Sequence, residues 1–323
     1  MTTGDTRRRL ILDLDTGVDD ALALAFALGS PEVELIGVTC TFGNVSMRTA
    51  VRNTRALLGL LGRPEVPVLA GADRALAATL PYEPGRAVAR IHGRNGLGDQ
   101  RVSGWCSQAP GDALDFLREA AEKYAGSLLY VPTGPLTNLA HALGAVPGLA
   151  EALGRVTFMG GALAVPGNVT PCAEANVAND PAAADAVLRG GLRTRMVGLD
   201  VTHQAVLTRG DTAAWRELGT PASLLLADAT DHYISVYEEN NPQLGGCALH
   251  DPLAVAAAID PSLVGCLGAN LRVDLEGPTR GRTVCDPDRL RDAEKTCEVA
   301  LTVDAPRFLH EFRARVLRAL SRP

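Results

Sequence analysis

Leu10-Ile11-Leu12-Asp13-Leu14-Asp15-Thr16-Gly17-Val18-Asp19-Asp20-Ala21 opens as a short apolar run, turns at Gly17, and continues from Asp19 into the apolar segment Ala21 to Leu28. A short apolar run closed by a glycine turn and followed by a helical pattern reads as strand, loop and helix. The theme repeats downstream. Val33 to Thr41 (VELIGVTCT) ends at Gly43-Asn44, and Ser46 is placed to N-cap a helix running to Leu61. Further strands are predicted at Val66 to Ala70, Ser127 to Val131, Val156 to Met159, Arg195 to Leu199 and Cys297 to Val303. Helices are predicted at about 112–124, 135–144, 181–189 and 221–238, with an amphipathic closing helix from Arg307 to Leu320.

Strands alternating with helices at this spacing imply parallel pairing through right-handed crossovers. The expected fold is α/β: one domain over residues 10–323, with an open, mostly parallel, doubly wound, Rossmann-like sheet and helices on both faces. Residues 1–9 are expected to be a disordered tail. In such sheets ligands bind beyond the carboxyl ends of the strands, so polar residues just past a strand carry the functional weight. Pro81 to Pro110 is the most irregular stretch, and its His92-Gly93-Arg94-Asn95-Gly96-Leu97-Gly98-Asp99 reads either as a mobile lid over the site or as a plain surface excursion.

Composition removes several classes. The 323 residues are 46% apolar with only 4% aromatic, which suits a core of Ala, Leu and Val between helix and sheet layers. A net charge of -6 and no basic cluster beyond Arg7-Arg8-Arg9 argue against a nucleic acid polymer as partner. The scattered cysteines, odd in number and never spaced Cys-x-x-Cys, argue against a disulfide framework or structural zinc and suit reduced thiols in cytoplasm. The N-terminus has no apolar stretch of signal-peptide type. The longest apolar run falls well short of the ~20 residues that cross a bilayer, so no membrane segment is expected.

Asp13, Asp15, Asp19 and Asp20 lie within eight residues at a strand end. Their mutual repulsion is costly unless a cation collects them. Carboxylates with no His or Cys nearby suit a hard ion, and several carboxylates with carbonyls favour the larger, more flexible Ca²⁺. Helix N-capping by Asp19 or Asp20 explains one carboxylate but not four. Asp13-Leu14-Asp15-Thr16 also resembles the nucleophile loop of haloacid-dehalogenase-type phosphatases, with Asp13 as nucleophile, but that leaves Asp19, Asp20 and His250-Asp251 without roles.

Asp13 to Ala21 as a whole is similar to the signature of the inosine-uridine-preferring nucleoside hydrolase family, and further stations follow in order. They are Gly43-Asn44-Val45; His92-Gly93 with Gly96-Leu97-Gly98; Thr133-Gly134-Pro135-Leu136-Thr137-Asn138; Met159-Gly160-Gly161; Gly167-Asn168-Val169-Thr170-Pro171 with Glu174 and Asn176; and His250-Asp251-Pro252. The match runs from about residue 9 to 260. Independently, Asp15, Asn44, Thr133 and Met159 each fall at or just past a predicted strand end.

The resemblance implies hydrolysis of the N-glycosidic bond of a ribonucleoside, with Ca²⁺ held by Asp15, Asp20, the Thr133 carbonyl and Asp251. It also implies a homodimer or homotetramer. Cleavage of the bond to ribose passes through an oxocarbenium-like state that surrounding carboxylates suit. Asp15 is expected to take the proton of a Ca²⁺-bound water of lowered pKa. Asp19, Asn44, Asn176 and the metal would bind the 2′- and 3′-hydroxyls, and Asn168 and Glu174 the 5′-hydroxyl, with Met159 also among the substrate-binding residues. His250 is expected to protonate the leaving base with a pKa near neutrality. His92 is placed to close over the ligand. Tyr233 and Tyr237, at i,i+4 on one helix face, either line the base pocket or pack in the core or at the surface. His141, His203 and His310 read as structural, and Trp105 and Trp215 stand away from every station. Where the family commonly carries an aromatic between the Glu174 and Asn176 stations this chain has Ala175, which widens the pocket beside the sugar. A non-catalytic nucleoside-binding protein is the remaining alternative.

Overall fold

The computed structural model describes residues 6–102 and 111–321. Residues 1–5 of the expected tail, and residues 103–110 with Trp105, lie outside the described residues. Five parallel strands form the first sheet: β1 (Arg8–Leu14), β2 (Val33–Cys40), β3 (Val68–Ala70), β4 (Gly111–Asp112) and β5 (Leu128–Pro132), in the order β4-β3-β2-β1-β5. A second sheet contains β6 (Arg155–Met159) and β7 (Arg193–Val197) in parallel, then the strand Cys297–Val303, also parallel, and the antiparallel edge strand Val264–Ala269. β6 packs beside β5, so the second sheet continues the first, although no ladder joins the two among the described residues. The expected mostly parallel α/β sheet is thus present in two hydrogen-bonded parts.

β1 is central, and Leu10 to Leu14 are wholly enclosed, as a parallel strand covered on both faces must be. It also starts earlier than expected. Arg8 and Arg9 belong to the strand, because their backbone N–H groups donate to the Glu32 and Ser127 carbonyls at 3.1 Å. The helix Val18–Gly29 that follows is buried along its whole length, against the helices His250–Ile259 and Ala305–Leu320. Gly29 permits that approach, since a Cβ there would lie 1.9 Å from the Arg315 carbonyl oxygen. Phe26 stacks on Phe312 at 6.1 Å and 13°, with the Arg315 guanidinium over its ring. Trp215 packs near the same cluster, 6.5 Å from Phe312. Among the described residues no helix is long and apolar enough to cross a membrane.

The glycine-rich segment after His92 is a hydrogen-bonded turn in this structure. Leu97 is fully buried, Asn95 Oδ1 accepts from the Leu97 and Asp99 amides, and Asn53 Nδ2 holds the Asn95 carbonyl at 2.7 Å. Gly93, Gly96 and Gly98 have positive φ, so the glycines serve the turn's geometry.

Phe26→Ala removes the ring that joins the first helix to the last. It is expected to cost ~3–5 kcal/mol, read as a lower denaturant midpoint at unchanged slope. A loss below ~1 kcal/mol contradicts this packing account.

Candidate active site

Beyond the end of β1 the chain turns into the helix Val18–Gly29, and the turn buries its carboxylates instead of showing them to water. Asp15 Oδ2 accepts the Asn44 backbone N–H at 2.7 Å, and Oδ1 accepts Asn44 Nδ2 at 3.1 Å. The same Nδ2 reaches Asp20 Oδ2 at 3.2 Å, which also accepts the Gly17 N–H at 2.8 Å. Asp20 Oδ1 accepts the Thr133 hydroxyl at 2.8 Å. Glycine is required beside this knot: a Cβ on Gly43 would lie 2.0 Å from Asp15 Oδ2.

Asp19, Asp20 and Asp251 each bring one carboxylate oxygen within 4.8 Å of the others. Among the described residues, Asp19 Oδ1 and Asp251 Oδ2 are buried with no hydrogen-bond partner. Burial raises the pKa of Asp19 to about 6, and burial with the Asp19 charge does the same for Asp20. Asp15 and Asp251 are raised well above the carboxylate range by burial, augmented by the charges of Asp20 on Asp15 and of Asp19 on Asp251. Orphaned buried oxygens in an all-carboxylate group fit a hard divalent cation, which supplies the missing partner charge. The cluster can therefore bind a metal. Asp15 lies next to the group rather than inside it, held by Asn44. The Thr133 carbonyl accepts Asn176 Nδ2 at 2.6 Å and keeps a second lone pair free.

A cavity of about 410 Å³ lies over this cluster. Asp19, Asn44, His92, Thr133, Met159, Asn168, Glu174, Asn176, Tyr233, Tyr237, His250 and Asp251 all line it, while Asp15 and Asp20 sit beneath the lining. Tyr233 and Tyr237 both line the cavity, and Tyr233 also belongs to the hydrophobic core with Tyr237 packed against it. The Tyr233 hydroxyl lies 3.5 Å from Asp19 Oδ2, and its ring is 5.0 Å from that of Tyr237.

His250 differs from expectation. Its Nε2 bonds the Tyr237 hydroxyl at 2.6 Å and its Nδ1 the Thr202 hydroxyl at 2.7 Å. Burial, reinforced by His203 and His92, pushes its pKa down to about 3 rather than leaving it near neutrality. It is a neutral imidazole joined to two hydroxyls. His92 is neutral too: burial lowers it to about 4, and its Nδ1 accepts the Val18 N–H at 3.3 Å, so no proton sits there to pair with Asp19, 3.8 Å away. His203 was expected to be structural, but it lines the cavity with its ring edge-on to His250 at 5.5 Å and 69°. The strand-end rule could have found it, because Thr202 and His203 close the short helix that follows β7.

Glu174 serves the backbone first. Its carboxylate accepts the Gly161, Asn176 and Val177 amides at 2.9, 2.8 and 3.1 Å, capping the short helix Ala175–Asn179. Asn168 Oδ1 accepts the Ala175 amide at 3.0 Å. Asp13 is sealed in β1, with Oδ1 accepting from Thr39 Oγ1 and Asn138 Nδ2, each at 2.7 Å, and it is absent from the cavity lining. A phosphate ester has no path to it, which disfavours the phosphatase reading.

A family model described as inosine-uridine preferring nucleoside hydrolase matches residues 10–310. A probable uridine nucleosidase 2 of Arabidopsis thaliana is 36% identical over 99% of this chain and 100% of its own length. The pyrimidine-specific ribonucleoside hydrolase RihA of Salmonella typhi is 35% identical over 93% of this chain and 95% of its own. Among solved structures, a purine-preferring ribonucleoside hydrolase from Gardnerella vaginalis superposes with a TM-score of 0.94 at 51% identity, covering 97% of this chain and 99% of that one.

Each raised carboxyl is neutral in the metal-free fold at low pH. Its contribution to stability is complete below the ordinary carboxylate pKa and is lost as pH rises through about 6 for Asp19 and Asp20. A cation binds the ionised form, so added Ca²⁺ raises Tm more at about pH 8 than at about pH 5. Thermal melts with Ca²⁺ and with chelator test this, and an equal or larger increment at the lower pH contradicts it.

Proposed function

Because the chain belongs to the inosine-uridine preferring nucleoside hydrolase family, we propose that it hydrolyses ribonucleosides to ribose and free base, with Ca²⁺ at the carboxylate cluster, Asp15 as general base and Tyr237 with His250 delivering a proton to the base. The observation that carries this reading is the pairing of features in one cavity: unpartnered buried carboxylates on its floor and the Tyr237–His250–Thr202 chain on its wall.

The carboxylates of Asp15, Asp20 and Asp251 and the Thr133 carbonyl would hold the ion. When bound, Ca²⁺ lowers the pKa of water and orients hydroxyl oxygens. Asp15 then takes the proton of the attacking water. Asp19, Asn44 and Asn176 present oxygens and amide protons to the vicinal diol, and the carboxylates stabilise the positive charge that grows on the sugar.

On the leaving side, the neutral His250 accepts the Thr202 proton at Nδ1 and donates from Nε2 to the Tyr237 oxygen. The Tyr237 hydroxyl is then free to donate to the departing base. A depressed imidazole pKa is compatible with this role, because only Tyr237 gives up a proton: His250 and Thr202 keep theirs and hold the phenolate by hydrogen bonds, and solvent restores the Tyr237 proton as Asp15 releases its own.

Inosine and uridine, with 2′-deoxyinosine as control, test the reading through release of free sugar. Asp15→Ala is expected to lower kcat/KM at least ~10³-fold and Tyr237→Phe roughly 10²-fold, while chelation abolishes turnover. The 2′-deoxynucleoside is expected to be poorer by roughly 10⁴-fold, since it leaves buried groups of the site unpaired. Tight binding of inosine and uridine without turnover would establish a binding protein instead.

A further inference from the structure

The loop between β6 and the helix Ala175–Asn179 brings Asn168 and Glu174 to the cavity. Its tip is bonded to itself: the Gly167 amide donates to the Pro171 carbonyl and the Val169 amide to the Ala173 carbonyl, each at 3.2 Å. A tip closed in this way keeps its shape, so where it stands depends on its stem, residues 162–165. Among the described residues, Asn168 Nδ2 makes no hydrogen bond and Glu174 Oε1 accepts only the Asn176 amide. The tip therefore offers a free donor and an acceptor with capacity left at this end of the cavity.

The stem is held by two side chains that do not line the cavity. Asp200 Oδ2 accepts the Leu163 amide at 2.9 Å, and its Oδ1 accepts the Ala164 amide at 2.7 Å. Arg282, just ahead of the strand Thr283–Cys285, donates to the Leu163 carbonyl at 2.8 Å and to the Val165 carbonyl at 3.4 Å. Two N–H groups facing two oxygens call for a carboxylate, since a side-chain amide at position 200 would set its own NH₂ against one of them. Asp200 is buried in the short helix Leu199–Thr202, whose Thr202 hydroxyl bonds His250 Nδ1 at 2.7 Å. One turn of helix thus ties the loop that carries Asn168 and Glu174 to the imidazole on the leaving-group wall.

Resting on the proposed ribonucleoside hydrolysis, with Asn168 and Glu174 on the 5′-hydroxyl, we infer that Asp200 is a positioning residue. With Arg282 it fixes the loop so that the sugar's 5′ end is held while the base lies at Tyr237 and His250. Neither Asp200 nor Arg282 touches the substrate. Their effect passes through the 5′-hydroxyl, and a substrate lacking that hydroxyl does not register it.

The test compares kcat/KM for inosine and 5′-deoxyinosine, using full-length protein with Ca²⁺. The unsubstituted protein is expected to cleave 5′-deoxyinosine at least about tenfold less well. Asp200→Asn, close to isosteric, is expected to lower the value for inosine at least about tenfold and that for 5′-deoxyinosine less than about threefold, compressing the ratio. Arg282→Met, which keeps the side-chain length and removes the donors, is expected to compress it in the same direction, and it carries the test should Asp200→Asn fail to fold. Equal slowing of both substrates would overturn the inference, because lost folded protein or general support acts on every substrate alike. Undiminished cleavage of inosine by both variants, or an unsubstituted protein indifferent to the 5′-hydroxyl, would overturn it as well and leave the ribosidase reading standing. Failure of the unsubstituted protein to cleave either nucleoside would remove the ribosidase reading and this inference together.

Discussion

Keeping several carboxylates close together and out of water is the constraint on which this molecule is built. Left alone, such a group either protonates or drives its chain apart. Here the backbone answers part of the charge: the Gly17 and Asn44 amides, the Thr133 hydroxyl and the Asn44 side-chain amide all point inward at Asp15 and Asp20. What the protein withholds is a partner for Asp19 Oδ1 and Asp251 Oδ2. That deficit suits the cluster to a cation.

The deficit can be held only by a rigid surround. β1 and its helix are enclosed on every side, and Asp251 arrives on the helix His250–Ile259, which packs directly against that first helix. The two halves of the cluster, far apart in sequence, are thereby fixed by apolar packing rather than by their own interactions. Gly43 and Gly29 mark where that packing leaves no room for a side chain, one beside Asp15 and one beneath the closing helix.

Much of this was legible in the chain. Asp15, Thr133 and Met159 announce themselves because strands of a parallel sheet end where ligands bind, and the residues at those ends are identifiable from the apolar runs preceding them. Other features depend on contacts that no local pattern encodes. The low pKa of His250 comes from burial among side chains contributed by distant segments, and its link to Thr202 spans 48 positions. The glycines after His92 also carry the turn's positive φ, and the burial of Leu97 between them and the Asn53 bond to Asn95 were not legible in the local sequence. Glu174 reads as a ligand for the sugar, and its further bonds to three backbone amides depend on the folded loop around it. Arg8 and Arg9 read as tail because charge masks strand pairing at a sheet's entry.

The central claim is that the buried cluster exists to hold a cation against a ribose diol. A crystal structure grown with Ca²⁺ and a non-hydrolysable ribonucleoside analogue tests it most directly. The account predicts an ion in contact with Asp15, Asp20, Asp251 and the Thr133 carbonyl, with the 2′- and 3′-hydroxyls beside it and Asp19 bonded to the diol. An analogue seated in the cavity with its diol turned away from the carboxylates, or an ion bound elsewhere while Asp19 and Asp251 stay unpartnered, would contradict it.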